Sequence, residues 1–307
     1  MVVFTTLAEK KYFNGVAALI NSVLKNGTYA NKIIIGYRGA LPKWLPELEA
    51  SKNGKSCTLK DGLLLEFVEV KNDFHMVHEK PEWFYKLTNI LEPNAKEYFF
   101  FDSDIIIVNR MSFFGEWVKQ GVAICEDVNY DMASNHPIRK QWIDLLKHNN
   151  MPIERIPERY YNSGFLGWKK EDASFIKNWS ECSKLLINLS DNLKAFRTKD
   201  RTDMVLSANQ DSLNLTAMTS SCDISTIGPE AMGFHFGLSL MVHPLGPKPW
   251  DLNFTKEFLH GKPPRMGDLR FWEYVNGNEL QPYLKLTVLW KLFWIKLYKG
   301  LSRLYSK

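Results

Sequence analysis

Cysteine is scarce in this sequence. Cys57, Cys125, Cys182 and Cys222 stand 40 or more residues apart among 307, with no CxxC pair. Neither a disulfide framework nor a cysteine zinc site is expected, and free thiols fit a reducing compartment. The chain also lacks a basic N-terminal stretch leading into a long apolar segment; it opens on MVVFTT, which reads as a strand. No signal peptide or N-terminal anchor is expected, and the sequons at Asn178 and Asn253 are read as chance matches. Acidic residues are missing after Glu279, where Lys285, Lys291, Lys296, Lys299, Arg303 and Lys307 supply six positive charges against a net +5 for the whole chain. The body before them therefore carries −1, which argues against the basic patch of a nucleic-acid binder. No internal repeat or low-complexity linker interrupts the chain. Its 45% hydrophobic and 24% charged residues are those of one large globular α/β unit with a C-terminal extension.

The most informative segment is Tyr98 to Ile107, YFFFDSDIII. Two carboxylates interrupt an apolar run. In extended backbone Asp102 and Asp104 point to the same side and Ser103 to the other. Two like charges at the end of a buried strand repel and lose hydration, so a cation between them is expected, a divalent metal above all. The alternative is a solvated turn between two short strands, which would more naturally carry Gly, Pro or Asn.

Around it the elements alternate. Val2 to Thr6, Lys32 to Tyr37 and Leu63 to Val70 read as strands, with a polar stretch from Ser51 to Asp61. Phe13 to Leu24, Glu82 to Leu91 and Ala173 to Leu189 read as helices. Val122 to Cys125, Gly164 to Trp168 and Ile224 to Ile227 are shorter strand candidates. The alternation predicts a mainly parallel sheet flanked by helices, with its ligand at the C-terminal strand ends.

The aspartate segment resembles the DxD motif of GT-A glycosyltransferases. Five further stretches, in order over about 250 residues, resemble glycosyltransferase family 8, the family of glycogenin and of bacterial lipopolysaccharide galactosyl- and glucosyltransferases. They are the opening VVFTTLAEKKYFNGVAALINSVLKNG, WFYKLTNIL at Trp83 to Leu91, YYNSGFLGW at Tyr160 to Trp168, ANQDSLN at Ala208 to Asn214, and HPLGPKPW at His243 to Trp250. The resemblance implies a GT-A catalytic domain over residues 1–250 and a packed extension over 251–282. It also implies a UDP-sugar donor and a manganese or magnesium ion held by Asp102, Asp104 and His243. The sequence has one residue between Gly246 and Lys248 where the family usually has two, so His235 competes for the third ligand position.

Further roles follow from the same resemblance. Lys248 would put charge on the departing phosphate, and Gly246 would let backbone amides approach it. Lys86 would be the basic residue ahead of the DxD strand, and Thr6, Leu7, Tyr12 and Ser103 would meet the nucleotide. Asp127, Asn162, Asn209, Gln210 and Asp211 would read the sugar, and Gly164, in the segment with Asn162, would border the donor. Asn209 stands where the family often has an aspartate considered as a nucleophile. An amide cannot easily attack carbon, so the retention implied by the family fits a front-face reaction in which Gln210 steadies the developing charge. Of the ten tryptophans, most are expected in the core, while Trp168 and Trp250 are expected to touch substrate.

The end of the chain, 283–307, reads YLKLTVLWKLFWIKLYKGLSRLYSK. At 100° per residue Lys285, Lys296, Lys299, Arg303 and Lys307 share a sector of about 80°. Trp290, Phe293, Trp294, Leu297, Leu301, Leu304 and Tyr305 fill the opposite face, and Lys291 lies off the stripe. This is the pattern of an interfacial helix on an anionic membrane, its charges arguing against a full span; the alternative is a helix packed on the domain. The expectation is a cytoplasmic, peripherally membrane-associated glycosyltransferase acting on a glycan or lipid-linked acceptor. A nucleotidyltransferase is the weaker alternative, because no Gly-rich, basic N-terminal loop is present to cradle a triphosphate. A catalytically silent membrane-recruited scaffold is the other.

Overall fold

A computed structural model describes residues 1–189 and 202–305, the last two through their backbone alone. Eleven strands are found among them: β1 (Val2–Glu9), β2 (Lys32–Arg38), β3 (Glu49–Ala50), β4 (Lys55–Thr58), β5 (Leu64–Glu69), β6 (Glu97–Phe101), β7 (Ile106–Ile107), β8 (Val122–Glu126), β9 (Tyr161–Lys169), β10 (Ile224–Ile227) and β11 (Met241–Val242). Nine of them form one sheet in the order β10-β8-β9-β6-β1-β2-β5-β4-β3. β10, β8, β6, β1, β2 and β5 run one way, while β9 and β4 run against them. The predicted mainly parallel α/β sheet is therefore present. The polar stretch from Ser51 to Asp61 holds the unpredicted strand β4, which lies between β5 and the edge strand β3.

The central strands are apolar throughout because helices cover both faces. On β1, Phe4 and Ala8 pack toward helix α1 (Phe13–Lys25), and Val3 and Leu7 pack toward α2 (Lys80–Lys86). Helices α3 (Ser112–Val118) and α4 (Pro137–His148) follow. α5 (Ala173–Ile187) and α6 (Ala208–Thr219) pack on each other, and α5 also packs on α2. The predicted helix over 82–91 is α2 followed by a π-type turn, Leu87–Leu91. Trp168 is a core residue and not a substrate contact. It is fully buried and stacked on Tyr98, with ring centroids 5.2 Å apart.

The aspartates do not lie in a strand. β6 ends at Phe101, and a hydrogen bond of 2.9 Å from Ile105 N–H to the Asp102 carbonyl closes a turn over Asp102–Ile105. The backbone does turn here, but the solvated turn weighed as the alternative is not what forms: Ser103 and Asp104 are buried. What makes the turn tight without Gly, Pro or Asn is external support. Gly15, in the first turn of α1, lies so close that a Cβ there would stand 2.3 Å from the Ser103 carbonyl oxygen.

The C-terminal region packs on this frame through α7 (Phe254–Leu259), α8 (Met266–Tyr274) and α9 (Lys285–Tyr305). The amide of Asn21, on α1, donates to the carbonyls of Tyr274, Val275 and Leu280 at 3.0–3.2 Å. α9 is not a free tail. Ile295 and Tyr298 are buried against α7 and α8, and Tyr298 stacks on Phe258 at 4.5 Å and donates its hydroxyl to Thr255. Yet Leu286, Trp290, Phe293 and Leu297 form a second apolar stripe on the outside, Trp290 being 60% and Leu286 80% exposed. Trp294 and Leu301, assigned from sequence to the outer face, are half-buried against the domain. Lys307 lies outside the described residues. No helix among the described residues is long and apolar enough to cross a membrane.

Candidate functional site

A cleft of about 590 Å³ opens at the C-terminal ends of β1 and β6. Its mouth is built from charge. The two-residue ladder of β7 and β11 pairs Ile106 with Val242 and Ile107 with Met241, which delivers His243 next to the aspartate turn although the two are far apart in sequence. The His243 Nε2 atom stands 3.4 Å from Asp104 Oδ1 and 3.8 Å from Asp102 Oδ2. A Cβ on Gly164 would meet the His243 ring at 2.8 Å, so only glycine lets the imidazole seat there. His235, the competing histidine, is exposed and outside this cluster.

Two lysines complete the mouth. Lys248 reaches Asp104 Oδ2 at 2.5 Å, so the shortened Gly246–Lys248 spacing does not keep it from the site. Its loop is held by Arg265, whose guanidinium donates to the carbonyls of Leu245 and Pro247 and pairs with Asp268. Lys80, at the start of α2, pairs with Asp102 Oδ1 at 2.7 Å and donates to the Ser163 carbonyl at 2.9 Å. Burial alone would raise the Asp104 carboxyl, but Lys248 and His243 overcome it and hold the group well below the usual carboxylate range. Burial likewise pulls Lys248 down, and Asp104 more than restores it.

The inner end is amide-rich around a single carboxylate, Asp127. Asn162 (on β9) and Gln210 (on α6) both donate to Asp127 Oδ2, at 2.7 and 3.2 Å. The Gln210 carbonyl accepts from the Ser163 amide and hydroxyl, and Asn209 donates to the Ser163 hydroxyl at 3.0 Å. Asn209 and Gln210 face the cleft because they occupy the first turn of α6, whose start is fixed by Asp211.

Of the residues proposed from sequence, Leu7, Tyr12, Ser103, Asp127, Asn162, Gly164 and Gly246 line the cleft, as do Asn209, Gln210, Lys248 and the three metal-ligand candidates. Three do not. Thr6 is buried beneath it, its hydroxyl without a hydrogen-bond partner. Asp211 is spent on structure: it accepts from the Tyr160 hydroxyl at 2.6 Å and from the amides of Leu206 and Ser207. Burial pushes its carboxyl up to about 6 despite those donors. Lys86 points away, its ammonium 6.0 Å from the Trp83 ring centre, and the basic residue of this helix that reaches the aspartates is Lys80. Trp250 lies behind the lining, edge-on to Tyr12 at 5.5 Å. Lys80 and Arg265 were not found from sequence. Nothing in the spacing of EKPEWFYK marks the first lysine over the second, because the choice depends on where α2 crosses the sheet.

Asp102, Asp104 and His243 can each offer one ligand atom within 4.8 Å of the others. Two carboxylate oxygens and one imidazole suit a first-row divalent ion such as Mn²⁺ better than Mg²⁺, which favours an all-oxygen shell. The His243 Nδ1 atom is buried with no hydrogen-bond partner. Shape at Gly164 and the Phe234 ring, 5.8 Å away, orients the imidazole in place of a second hydrogen bond.

No protein-family model and no curated protein sequence matches the chain. Solved structures do. The galactosyltransferase LgtC, determined with donor and acceptor sugar analogues, superposes with a TM-score of 0.56 at 14% identity, over 94% of this chain and 100% of LgtC. The fold is GT-A. The bifunctional glycosyltransferase WbbM, in its apo form, gives a TM-score of 0.55 at 14% identity over 95% of this chain. This chain spans about half, 52%, of WbbM.

Proposed function

We propose that the protein is a metal-dependent retaining glycosyltransferase, moving a hexose from a nucleotide-diphosphate sugar, most simply a UDP-sugar, to a glycan or lipid-linked glycan. The observation that carries this reading is the meeting of Asp102, Asp104 and His243 at the mouth of a cleft whose inner wall is Asp127, Asn162, Asn209 and Gln210. The charged mouth suits a diphosphate and the short polar side chains suit sugar hydroxyls. A bound divalent ion would offset the charge that develops on the leaving diphosphate. Lys248 adds to that from its loop, and Leu7 and Tyr12 flank the space left for the nucleoside.

Breaking the bond between the anomeric carbon and the phosphate oxygen leaves positive charge on the sugar. The Gln210 carbonyl, turned toward Ser163 at the cleft wall, can face that charge. Asn209, already hydrogen-bonded to Ser163, positions the sugar and supplies no nucleophile. The acceptor oxygen then attacks from the departing side, and its proton passes to the leaving phosphate. Screening nucleotide sugars for Mn²⁺-dependent hydrolysis tests the proposal. Turnover of one of them, lost in Asp104→Asn, is expected; no hydrolysis and no binding of any nucleotide sugar would overturn it.

The outer stripe of α9 fits an anionic membrane surface. Leu286, Trp290, Phe293 and Leu297 present apolar side chains to solvent, and Lys285, Lys296 and Arg303, also exposed, run along one edge. Flotation with phosphatidylserine vesicles should recover the protein at low salt, and Trp290→Ser with Phe293→Ser should leave it unbound yet folded. Equal recovery of wild type and double variant would sink the membrane reading.

A further inference from the structure

We propose that Lys80 and Lys248 are internal counter-ions that keep the Asp102–Asp104 pair from taking up a divalent cation alone, so that cation and nucleotide diphosphate become mutually dependent ligands. The inference rests on the nucleotide-sugar reading above. Each carboxylate uses its two oxygens differently. Asp102 gives Oδ1 to Lys80 at 2.7 Å and turns Oδ2 toward His243; Asp104 gives Oδ2 to Lys248 at 2.5 Å and turns Oδ1 toward His243. The oxygens needed for a cation thus face one another, while the outer ones are already neutralised. The two carboxylates and the two ammonium groups sum to no net charge. A divalent ion entering by itself adds two positive charges beside two ammonium groups in a partly dry site, where Coulomb terms are several-fold stronger than in water. A diphosphate supplies the missing negative charge, and its oxygens can serve the cation and an ammonium group together.

The two lysines are not equivalent. Lys80 has a side chain 3% exposed, bonded to the Ser163 carbonyl and lying over the Phe100 ring at 4.9 Å, so it stays with Asp102. Lys248 is 21% exposed and sits on the loop that includes Gly246, whose φ of +71° marks a turn glycine. It is the one with room to turn from Asp104 onto a phosphate oxygen.

The probes are Mn²⁺ followed by electron paramagnetic resonance and UDP followed by calorimetry, on the full chain. In wild type, UDP should tighten Mn²⁺ binding about 30-fold or more, and Mn²⁺ should tighten UDP by the same factor, as linkage requires. Lys80→Met should bind Mn²⁺ alone about 10-fold more tightly than wild type and show a smaller coupling factor. Lys248→Met should also bind Mn²⁺ alone more tightly but bind UDP more weakly. Equal Mn²⁺ affinity in wild type with and without UDP, or unchanged or weaker Mn²⁺ affinity in folded Lys80→Met, overturns the proposal. If circular dichroism shows Lys80→Met unfolded, Lys248→Met decides by the same criterion. Should UDP bind neither with nor without Mn²⁺, the nucleotide-sugar reading fails, while the effect of the lysine variants on Mn²⁺ alone still tests the counter-ion role.

Discussion

The two ends of the cleft are held by different physics. At the mouth, Asp102, Asp104, Lys80 and Lys248 balance full charges across a turn and a loop. At the inner end, amide and hydroxyl hydrogen bonds link Ser163 of β9 to Asn209 and Gln210 of α6, and Asn162 and Gln210 both donate to the single carboxylate of Asp127. A charged, loop-borne assembly can rearrange when a ligand brings charge of its own. An amide network anchored on a strand and a helix N-terminus keeps its geometry, which suits orienting a sugar. The difference predicts that damage to the mouth shows first as lost binding, and damage to the inner end as lost turnover.

The largest effect is expected from Asp104→Ala. It removes a ligand candidate and leaves Lys248 without its partner, so Mn²⁺-dependent UDP binding should fall by roughly 100-fold or more in calorimetry. Next comes Gly15→Ala, directly behind the cleft lining. Its new methyl would collide with the Ser103 carbonyl, so the turn must move, costing about 1–3 kcal/mol by denaturant melting together with Mn²⁺ affinity. An unchanged metal affinity there would show that the mouth does not depend on the packing of α1. At the inner end, Asn209→Ala should lower kcat about 10-fold with donor KM nearly constant. Proton NMR should show the same anomer as wild type, and an inverted product from wild type would contradict the retaining reaction.

The smallest effect tests the support beneath the inner end. Tyr160→Phe removes one donor from Asp211, and a loss of about 1 kcal/mol is expected. Because burial lifts the Asp211 carboxyl to about 6, the group favours its protonated form in the folded protein. Its contribution to stability is fully present below the usual carboxylate range and is lost as pH rises through about 6. The Tyr160→Phe penalty should therefore be larger at pH 8, where a buried carboxylate has lost a donor, than at pH 5. Urea midpoints at the two pH values measure this; equal penalties would mean that Asp211 does not titrate there.

How much was legible in the sequence divides along the same line. The apolar runs of β1, β2 and β6 and the helical period of α1 and α5 are strong local signals, and the sheet follows from them. Asp102, Asp104 and His243 stand out because their chemistry is conspicuous against apolar neighbours. Lys80 does not, since a lysine at the head of a helix is ordinary until α2 is seen to cross beneath the turn. Trp168 failed for the opposite reason: it belongs to a striking motif, but the alternation of β9 turns it onto Tyr98 and into the core. Gly15 and Arg265 act by fitting against backbone brought from elsewhere, and no local pattern encodes that.

The short β7–β11 ladder gives this architecture an order of assembly. His243 lies 139 residues beyond Asp104 and reaches it only through two paired residues on each side. A chain emerging from synthesis carries its aspartate turn long before the imidazole exists, and no fragment ending before residue 243 can complete the cluster. The cluster of Asp102, Asp104 and His243 therefore depends on a contact of large sequence separation, which favours its late formation in folding. Tight uptake of a divalent ion together with UDP would report that the C-terminal third of the chain has found its place.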